Sequence, residues 1–303
     1  MTASVSNNTF VEPTRISANA LAATQLPLGE RITYIRKKKW FGYPLATETL
    51  DKLEDLLTYP RSDRMPNLLI TGDTNNGKTS LIKEFIKRYP AQDNPDGGTI
   101  KVPVFFTQAP PIPDEGRFYD EMLEALFAPY RSTDKIGKKE KMVLRLLKVI
   151  DARMLVIDEI HNILAGPINR QQAFLNAMKN LGNNLQIPIV ALGTKEAFRA
   201  IHTDDQLANR FKSVYLPKWE YGVEYRRLLS TFEYTLALKE PSNLSDKQIA
   251  SEILRMSEGV IGEVAEIISE AAAYALRNHQ EAITLDILRD IKWVLPSKRA
   301  KMV

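Results

Sequence analysis

The run Gly72-Asp73-Thr74-Asn75-Asn76-Gly77-Lys78-Thr79 constrains this chain more than any other feature of it. Just before it, Asn67 to Thr71 is a compact apolar stretch of strand character. Just after it, Leu81, Ile82, Phe85 and Ile86 recur at helical spacing through Ser80 to Tyr89. A strand, a glycine-bounded loop and a helix in that order bring backbone N–H groups and the positive end of a helix to one point, the geometry that wraps a phosphate. The run fits the Walker A pattern. Gly72, Asp73, Thr74, Asn75, Asn76, Gly77, Lys78, Thr79 and Ser80 are therefore expected to hold the phosphates of ATP. Lys78 should reach the β and γ phosphates, and Thr79 should hold Mg²⁺ through its hydroxyl, an oxygen ligand suited to a hard cation.

The rest of the chain is legible as alternating elements. Ala46 to Leu57 reads as a short helix stopped by Tyr59 and Pro60, and turn-rich Asp93 to Gly98 leads into a strand at Thr99 to Thr107. Pro110, Pro111 and Pro113 then break the chain before helices at Arg117 to Phe127 and Glu140 to Ile150, with a basic loop, Arg131 to Lys139, between them. Met154 to Ile157 reads as a buried strand, Gln171 to Leu181 as a helix, and Ile187 to Leu192 and Ser213 to Leu216 as further strands. Strand–helix alternation with continuously apolar strands implies an α/β fold, a parallel sheet layered between helices. From Glu220 onward only helical periodicity remains, at Tyr225 to Leu238, Lys247 to Ser257, Gly262 to Arg277 and Leu285 to Val294. The expected division is a loose arm over 1–30, a nucleotide-binding domain over 31–219, an all-α subdomain over 220–296 and a basic tail over 297–303.

A Walker A loop needs a carboxylate partner on another strand, to hold the metal's water shell and to polarise the attacking water. Asp158 and Glu159, at the end of the strand Met154 to Ile157, supply that pair, with Asp158 as the second metal-side residue. Glu159 favours an ATPase over a small-molecule kinase, which has no use for activated water. Thr194 ends another strand, and two compatible readings are open: contact with the γ-phosphate, or capping of the next helix. Arg210 closes a short helix before the strand at Ser213; it reads either as an arginine finger for a neighbouring subunit's phosphate or as a helix-terminal cation. His161 is read as structural. Trp40, Phe41 and Tyr43 either wall an adenine ring or pack the N-terminal segment onto the core.

Composition narrows the setting. The 303 residues hold no cysteine, which removes disulfides and Cys-based metal sites, and the three histidines show no zinc-ligand spacing. No apolar run approaches the ~20 residues a membrane span requires, and the first 25 residues lack the pattern of a secretory signal, so a cytoplasmic protein without membrane partners is expected. A net charge of +4 only hints at nucleic acid; the basic clusters at Arg31 to Lys39, Arg131 to Lys141 and Lys298 to Lys301 are its candidate carriers or plain solvated faces.

Walker A, Asp-Glu, a polar strand end, Arg210 and a helical C-terminal part, in this order, resemble the AAA+ ATPases. Gly42-Tyr43-Pro44 and Arg64-Met65-Pro66-Asn67-Leu68-Leu69-Ile70 leading into the Asn-Asn-bearing loop are similar to TniB, the ATPase subunit of certain Mu-like and Tn7-like transposons, across roughly Arg31 to Val294. The resemblance, which extends to TnsC and MuB, implies ATP-dependent assembly into a homo-oligomer, as a helical filament or ring, on double-stranded DNA. It implies target marking and recruitment of a separate transposase, with a TniQ-like targeting protein as a further partner, and an ATPase, which the lid residue Glu263 would suit as a slow one. It places Lys78, Thr79, Asp158, Glu159, Thr194 and Arg210 in the nucleotide site. The segment between the second strand and the Asp-Glu strand tends to face the central channel in AAA+ assemblies, which makes Arg117, Ser132, Thr133, Lys135 and Lys138 candidate phosphate contacts on DNA. One departure is Glu263, which stands where AAA+ lids often carry a phosphate-sensing arginine. A replication-initiator or helicase-loader ATPase, and a nucleotide-gated protein scaffold, are the competing readings.

Overall fold

The computed structural model describes residues 16–93, 97–203 and 205–299. Two helices come first, α1 (Ala18–Ala23) and α2 (Leu28–Arg36), followed by α3 (Pro44–Leu57), β1 (Asn67–Gly72), α4 (Lys78–Arg88), β2 (Val104–Gln108), α5 (Glu115–Ala125), α6 (Ile136–Val149) and β3 (Met154–Asp158). A 3₁₀ turn (Ile160–Ala165) leads into α7 (Ile168–Leu185), β4 (Ile189–Gly193), α8 (Glu196–His202), α9 (Asp205–Ala208) and β5 (Phe211–Leu216). The remainder is helical: α10 (Val223–Tyr234), α11 (Lys247–Ser257), α12 (Ile261–Arg277), α13 (Leu285–Asp290) and α14 (Pro296–Arg299).

These elements form two compact units. The first, Gly42–Lys218, is an α/β unit whose five strands are all parallel in the order β2-β3-β4-β1-β5. Every residue of β1, β3 and β4 is buried, because helices cover both faces of the sheet and leave no side of a strand for water. On one face α5 to α8 pack Phe118, Met122, Leu147, Phe174 and Met178 against Leu155 and Ile157, with the Phe118 and Phe174 rings 4.8 Å apart. α4 lies on β1 and β4, with α3 beside it. Because the strands are parallel, the loops after β1, β3 and β4 emerge at one edge, where ligands of open α/β sheets bind.

The sequence reading is adjusted at several places, and α6 begins at Ile136 inside the segment expected as a basic loop. The strand expected over Thr99 to Thr107 shortens to Val104–Gln108, with Lys101 in an isolated bridge to Gln92. Pro103 has no N–H to give the ladder, although its carbonyl accepts from the N–H groups of Arg153 and Met154. The 3₁₀ turn and α8 follow strand ends too closely for a periodic signal. The turn expected at Asp93 to Gly98 falls partly, at 94–96, outside the described residues.

The second unit joins residues before Gly42 to those after Lys218. Its core is Ile32 and Ile35 of α2 packed among Leu228, Leu229 and Phe232 of α10, Ile253 of α11 and Ile267, Ile268 and Ala271 of α12. Residues 16–30, expected as a loose arm, form α1 and the start of α2: Ser17 caps α1, and its N–H donates to the Tyr234 carbonyl. Residues 31–41, expected with the nucleotide domain, belong to this helical unit. Arg31 donates to the Ala237 carbonyl at 2.6 Å and pairs through both terminal nitrogens with Glu281. The Phe41 ring packs tilted against Phe232 with centroids 4.1 Å apart, which answers its open reading in favour of packing. Residues 1–15 and 300–303, with Lys301 of the last basic cluster, lie outside the described residues.

Candidate functional site

The site is built at the carboxyl edge of the sheet. β1 ends at Gly72, and the loop turns back through two left-handed residues, Asn75 (φ 60) and Gly77 (φ 85), before α4 begins at Lys78. Only glycine takes that conformation freely, and its use at Gly77 lets the loop N–H groups converge ahead of the helix N-terminus. Lys78 is buried, and its ammonium donates to the carbonyls of Gly72 and Asp73, both at 2.8 Å, which pins the side chain across the loop. Burial lowers the Lys78 pKa, and the carboxylates of Glu159, Asp158 and Asp73 oppose that shift.

Two residues 79 positions apart in sequence meet here: the Thr79 hydroxyl donates to Asp158 Oδ2 at 2.7 Å. Asp158 is itself buried at the end of β3, and its Oδ1 accepts from the Glu159 N–H at 2.8 Å. A hydroxyl and a buried carboxylate side by side next to a phosphate loop form an oxygen donor set of the kind Mg²⁺ takes. Among the described residues no group of three or more His, Cys, Asp or Glu is placed to hold a metal by itself. A cation here would complete its shell with phosphate and water oxygens.

Glu159 follows Asp158 in a left-handed conformation (φ 55, ψ 34), a costly backbone for a glutamate and one that turns its side chain away from the path of β3. His161 Nδ1 is buried 3.3 Å from Glu159 Oε2 but without hydrogen-bond geometry, so the imidazole packs beside the carboxylate rather than binding it. β4 lies between β1 and β3, so Thr194, directly after it, emerges between the loop and the Asp158-Glu159 pair. Its hydroxyl donates to the Glu196 carboxylate, and the residue preceding α8 is Lys195; no side-chain cap from Thr194 is formed. Gly193 is required by space, since a Cβ there would stand 2.6 Å from Ala197 Cβ.

Arg210 lies elsewhere. It precedes β5, whose Phe211 pairs with Asn67 at the start of β1 while Leu216 pairs with Gly72 at its end. At about 3.3 Å per residue the strand sets Arg210 about 17 Å or more from its own phosphate loop, beyond side-chain reach. It is half-buried, and its guanidinium donates to Asn183 Oδ1 at 2.7 Å.

Three further residues shape the site, and their roles were not visible in the sequence. Asn76, inside the motif, turns its amide away from the loop and donates to the Leu216 and Pro217 carbonyls at 2.8 and 3.0 Å, anchoring the loop to the end of β5. Lys195 and Lys218, after β4 and β5, bracket Asp73 at 3.9 and 3.6 Å. Their positions just after strand ends were the only signal available.

The candidate DNA residues are spread over α5, the following loop and the start of α6. Arg117 is exposed, 4.0 Å from Glu121. Ser132, Thr133 and Lys135 are exposed, while Lys138 pairs with Asp134 at 2.7 Å. Lys139, counted in the basic cluster, is buried between Asp120 (2.7 Å) and the Ser132 carbonyl (2.9 Å); it fastens the loop and is not a surface cation. Glu263, which the resemblance sets against a sensor arginine, is buried in the first turn of α12 and held by both terminal nitrogens of Arg299 at 3.0 and 2.7 Å.

A five-stranded parallel sheet of this order, with a phosphate loop on β1, a metal-side carboxylate ending β3 and a helical unit from the C-terminal part, defines the AAA+ class of P-loop ATPases. Within that class the chain belongs to the TniB family: the family model of the bacterial TniB protein matches residues 31–221. Solved structures share the fold. The Aeropyrum pernix ORC1 protein in complex with DNA superposes with a TM-score of 0.61 at 14% identity, over 90% of this chain and 69% of that one. The Cdc6p of Pyrobaculum aerophilum gives 0.59 at 16% identity, over 83% and 67%. The Holliday junction branch migration motor RuvB of Thermotoga maritima gives 0.51 at 16%, over 84% and 71%. No curated protein sequence matches significantly. No helix among the described residues is long and apolar enough to cross a membrane.

Proposed function

We propose that this TniB-family chain is a switch ATPase of transposition, which assembles with ATP on double-stranded DNA, marks the target and recruits or stimulates a separate transposase. The observation that carries the nucleotide part is the Thr79–Asp158 contact, which joins the phosphate loop to the acidic strand. Lys78 binds the β and γ phosphates, exchanging its loop carbonyls for phosphate oxygens. Thr79 and Asp158 hold Mg²⁺, which when bound offsets the phosphate charge. Glu159 takes the proton of the water that attacks the γ-phosphorus as the bond to the β-phosphate oxygen breaks and ADP leaves, and Thr194 orients that region from the end of β4. Arg210, too far from its own loop, serves the nucleotide of the next subunit, so assembly and turnover are coupled.

Family membership supports the DNA part, and the likeness to an origin-recognition protein in complex with DNA agrees with it. A transposase and a TniQ-like protein are the proposed protein partners. The family match favours this reading over a replication initiator of similar fold.

The test is electron microscopy and sedimentation of the protein with duplex DNA and a non-hydrolysable ATP analogue. Ordered assemblies that need both ligands are expected, and Lys78→Ala should abolish them. Assembly indifferent to nucleotide, or unchanged in that variant, would refute the switch.

A further inference from the structure

We propose that the outer face of α6 binds the phosphate backbone of duplex DNA through Lys141, Arg145 and Lys148, a proposal that rests on the DNA-binding reading above. The three cations stand at i, i+4 and i+7, on one face of the helix over about 10 Å of its axis. All three are exposed, and among the described residues none of their side chains makes an ion pair or hydrogen bond, in contrast to Lys138 and Lys139, which are paired with Asp134 and Asp120. The one carboxylate of α6, Glu140, is half-buried and close enough to Glu115 and Tyr119 of α5 that its charge, after burial, raises the pKa of both, which places it on the α5 side of the helix. The cations line a shallow hollow of about 480 Å³ whose remaining walls are Leu144 and Val149.

Like charges at i, i+3 and i, i+4 repel and weaken a helix. A stripe of three with no internal counter-charge is therefore a cost to folding, and a polyanion removes it. Duplex DNA carries one negative charge per about 1.7 Å of axis with both strands counted, so about three per strand lie along the length that the stripe spans. The competing occupant is a second copy of the chain. α3 carries exposed Glu48, Asp51 and Asp55 at i, i+3 and i+7, a spacing that matches the stripe when the helices run in opposite directions. Glu48 is already neutralised by Lys52 at 2.7 Å, which leaves two carboxylates for three cations and favours DNA.

The test uses the full chain with a non-hydrolysable ATP analogue and fluorescent duplexes of several unrelated sequences, titrated over a range of salt. Lys141→Gln/Arg145→Gln/Lys148→Gln is expected to weaken binding to every duplex alike and to flatten the log–log salt dependence by up to ~3 units, about one per lost contact. The charge-keeping Lys141→Arg/Arg145→Lys/Lys148→Arg variant should restore the wild-type slope. Nucleotide affinity without DNA should be the same in all of them. A wild-type slope in the glutamine variant overturns the proposal. If that variant instead loses self-association without DNA, and Asp51→Lys/Asp55→Lys on wild type does the same, the face belongs to a neighbouring copy and the DNA assignment falls. Failure of the wild-type chain to bind any duplex would refute the underlying DNA reading itself, a result distinct from either.

Discussion

Phe127 carries two costs at once. It is 96% exposed, and it adopts φ 52 at the position after α5 where the chain turns left-handed, with its N–H donating to the Glu124 carbonyl and the Ala128 N–H to that of Leu123. Glycine is the residue this helix end prefers, and nothing among the described residues repays the phenylalanine. Phe127→Gly should raise stability by up to about 1 kcal/mol in urea unfolding; a loss would show that the ring packs in solution. Glu159 shares the left-handed strain, but at the site where the proposed chemistry needs it. Glu159→Gln keeps the shape and loses the base, so nucleotide should still bind while phosphate release falls at least ~100-fold; normal release would remove Glu159 from the mechanism. Asn76 is the residue within the motif whose role is structural. Asn76→Ala leaves the Leu216 and Pro217 carbonyls without that donor, at a cost of about 1–3 kcal/mol, and should weaken nucleotide binding in calorimetry because the loop loses its anchor to β5.

Among the elements, α2 shows how a segment distant in sequence is recruited. Two apolar residues, Ile32 and Ile35, and one bidentate ion pair, Arg31 to Glu281, fix it within the helical unit. Hydrogen bonding from Arg31 is the main cause holding the Glu281 carboxyl below its usual 4.5; burial opposes the shift, and the Lys239 N–H adds to it. A depressed folded-state value means that the stabilisation is complete above the unfolded carboxyl range and is lost as pH falls through the folded value. Thermal melts should therefore show the wild-type chain losing stability below about pH 4.5 more steeply than Glu281→Gln. At neutral pH that substitution should cost about 1–2 kcal/mol, the pair being partly screened by solvent. Equal acid sensitivity in the two proteins would place the transition in other carboxylates.

At the scale of the whole molecule, the phosphate loop and Arg210 sit at opposite edges of one sheet. If Arg210 serves a neighbour's nucleotide, as proposed, the site is completed by a second copy, and a contact of that kind, different on its two sides, propagates into a ring or a filament. Arg210→Ala should leave nucleotide binding by the monomer unchanged and lower turnover and assembly. Mixed with Lys78→Ala, it should regain part of the activity, because some interfaces then pair an intact loop with an intact arginine. Absence of any recovery in the mixture would indicate that Arg210 supports only its own subunit, through Asn183.

The sequence alone determined the class of the fold and where along the chain the candidate site lies. A strand, a glycine-bounded loop and a helix are contiguous, so Gly72 to Ser80 could be assigned from spacing; buried parallel strands are apolar throughout, so Met154 to Ile157 with Asp158 and Glu159 stood out in the same way. Periodicity also located α11 and α12 nearly to the residue, because an amphipathic helix writes its buried face at every turn. Tertiary structure decided whatever depends on where a long side chain ends. It turned Asn76 from the phosphates to β5 and brought Lys195 and Lys218 to Asp73. It buried Lys139 and left Lys141, Arg145 and Lys148 in the open, and it moved α2 into the helical unit. A cation reads the same in sequence whether it meets a carboxylate or water, and only the folded chain distinguishes the two.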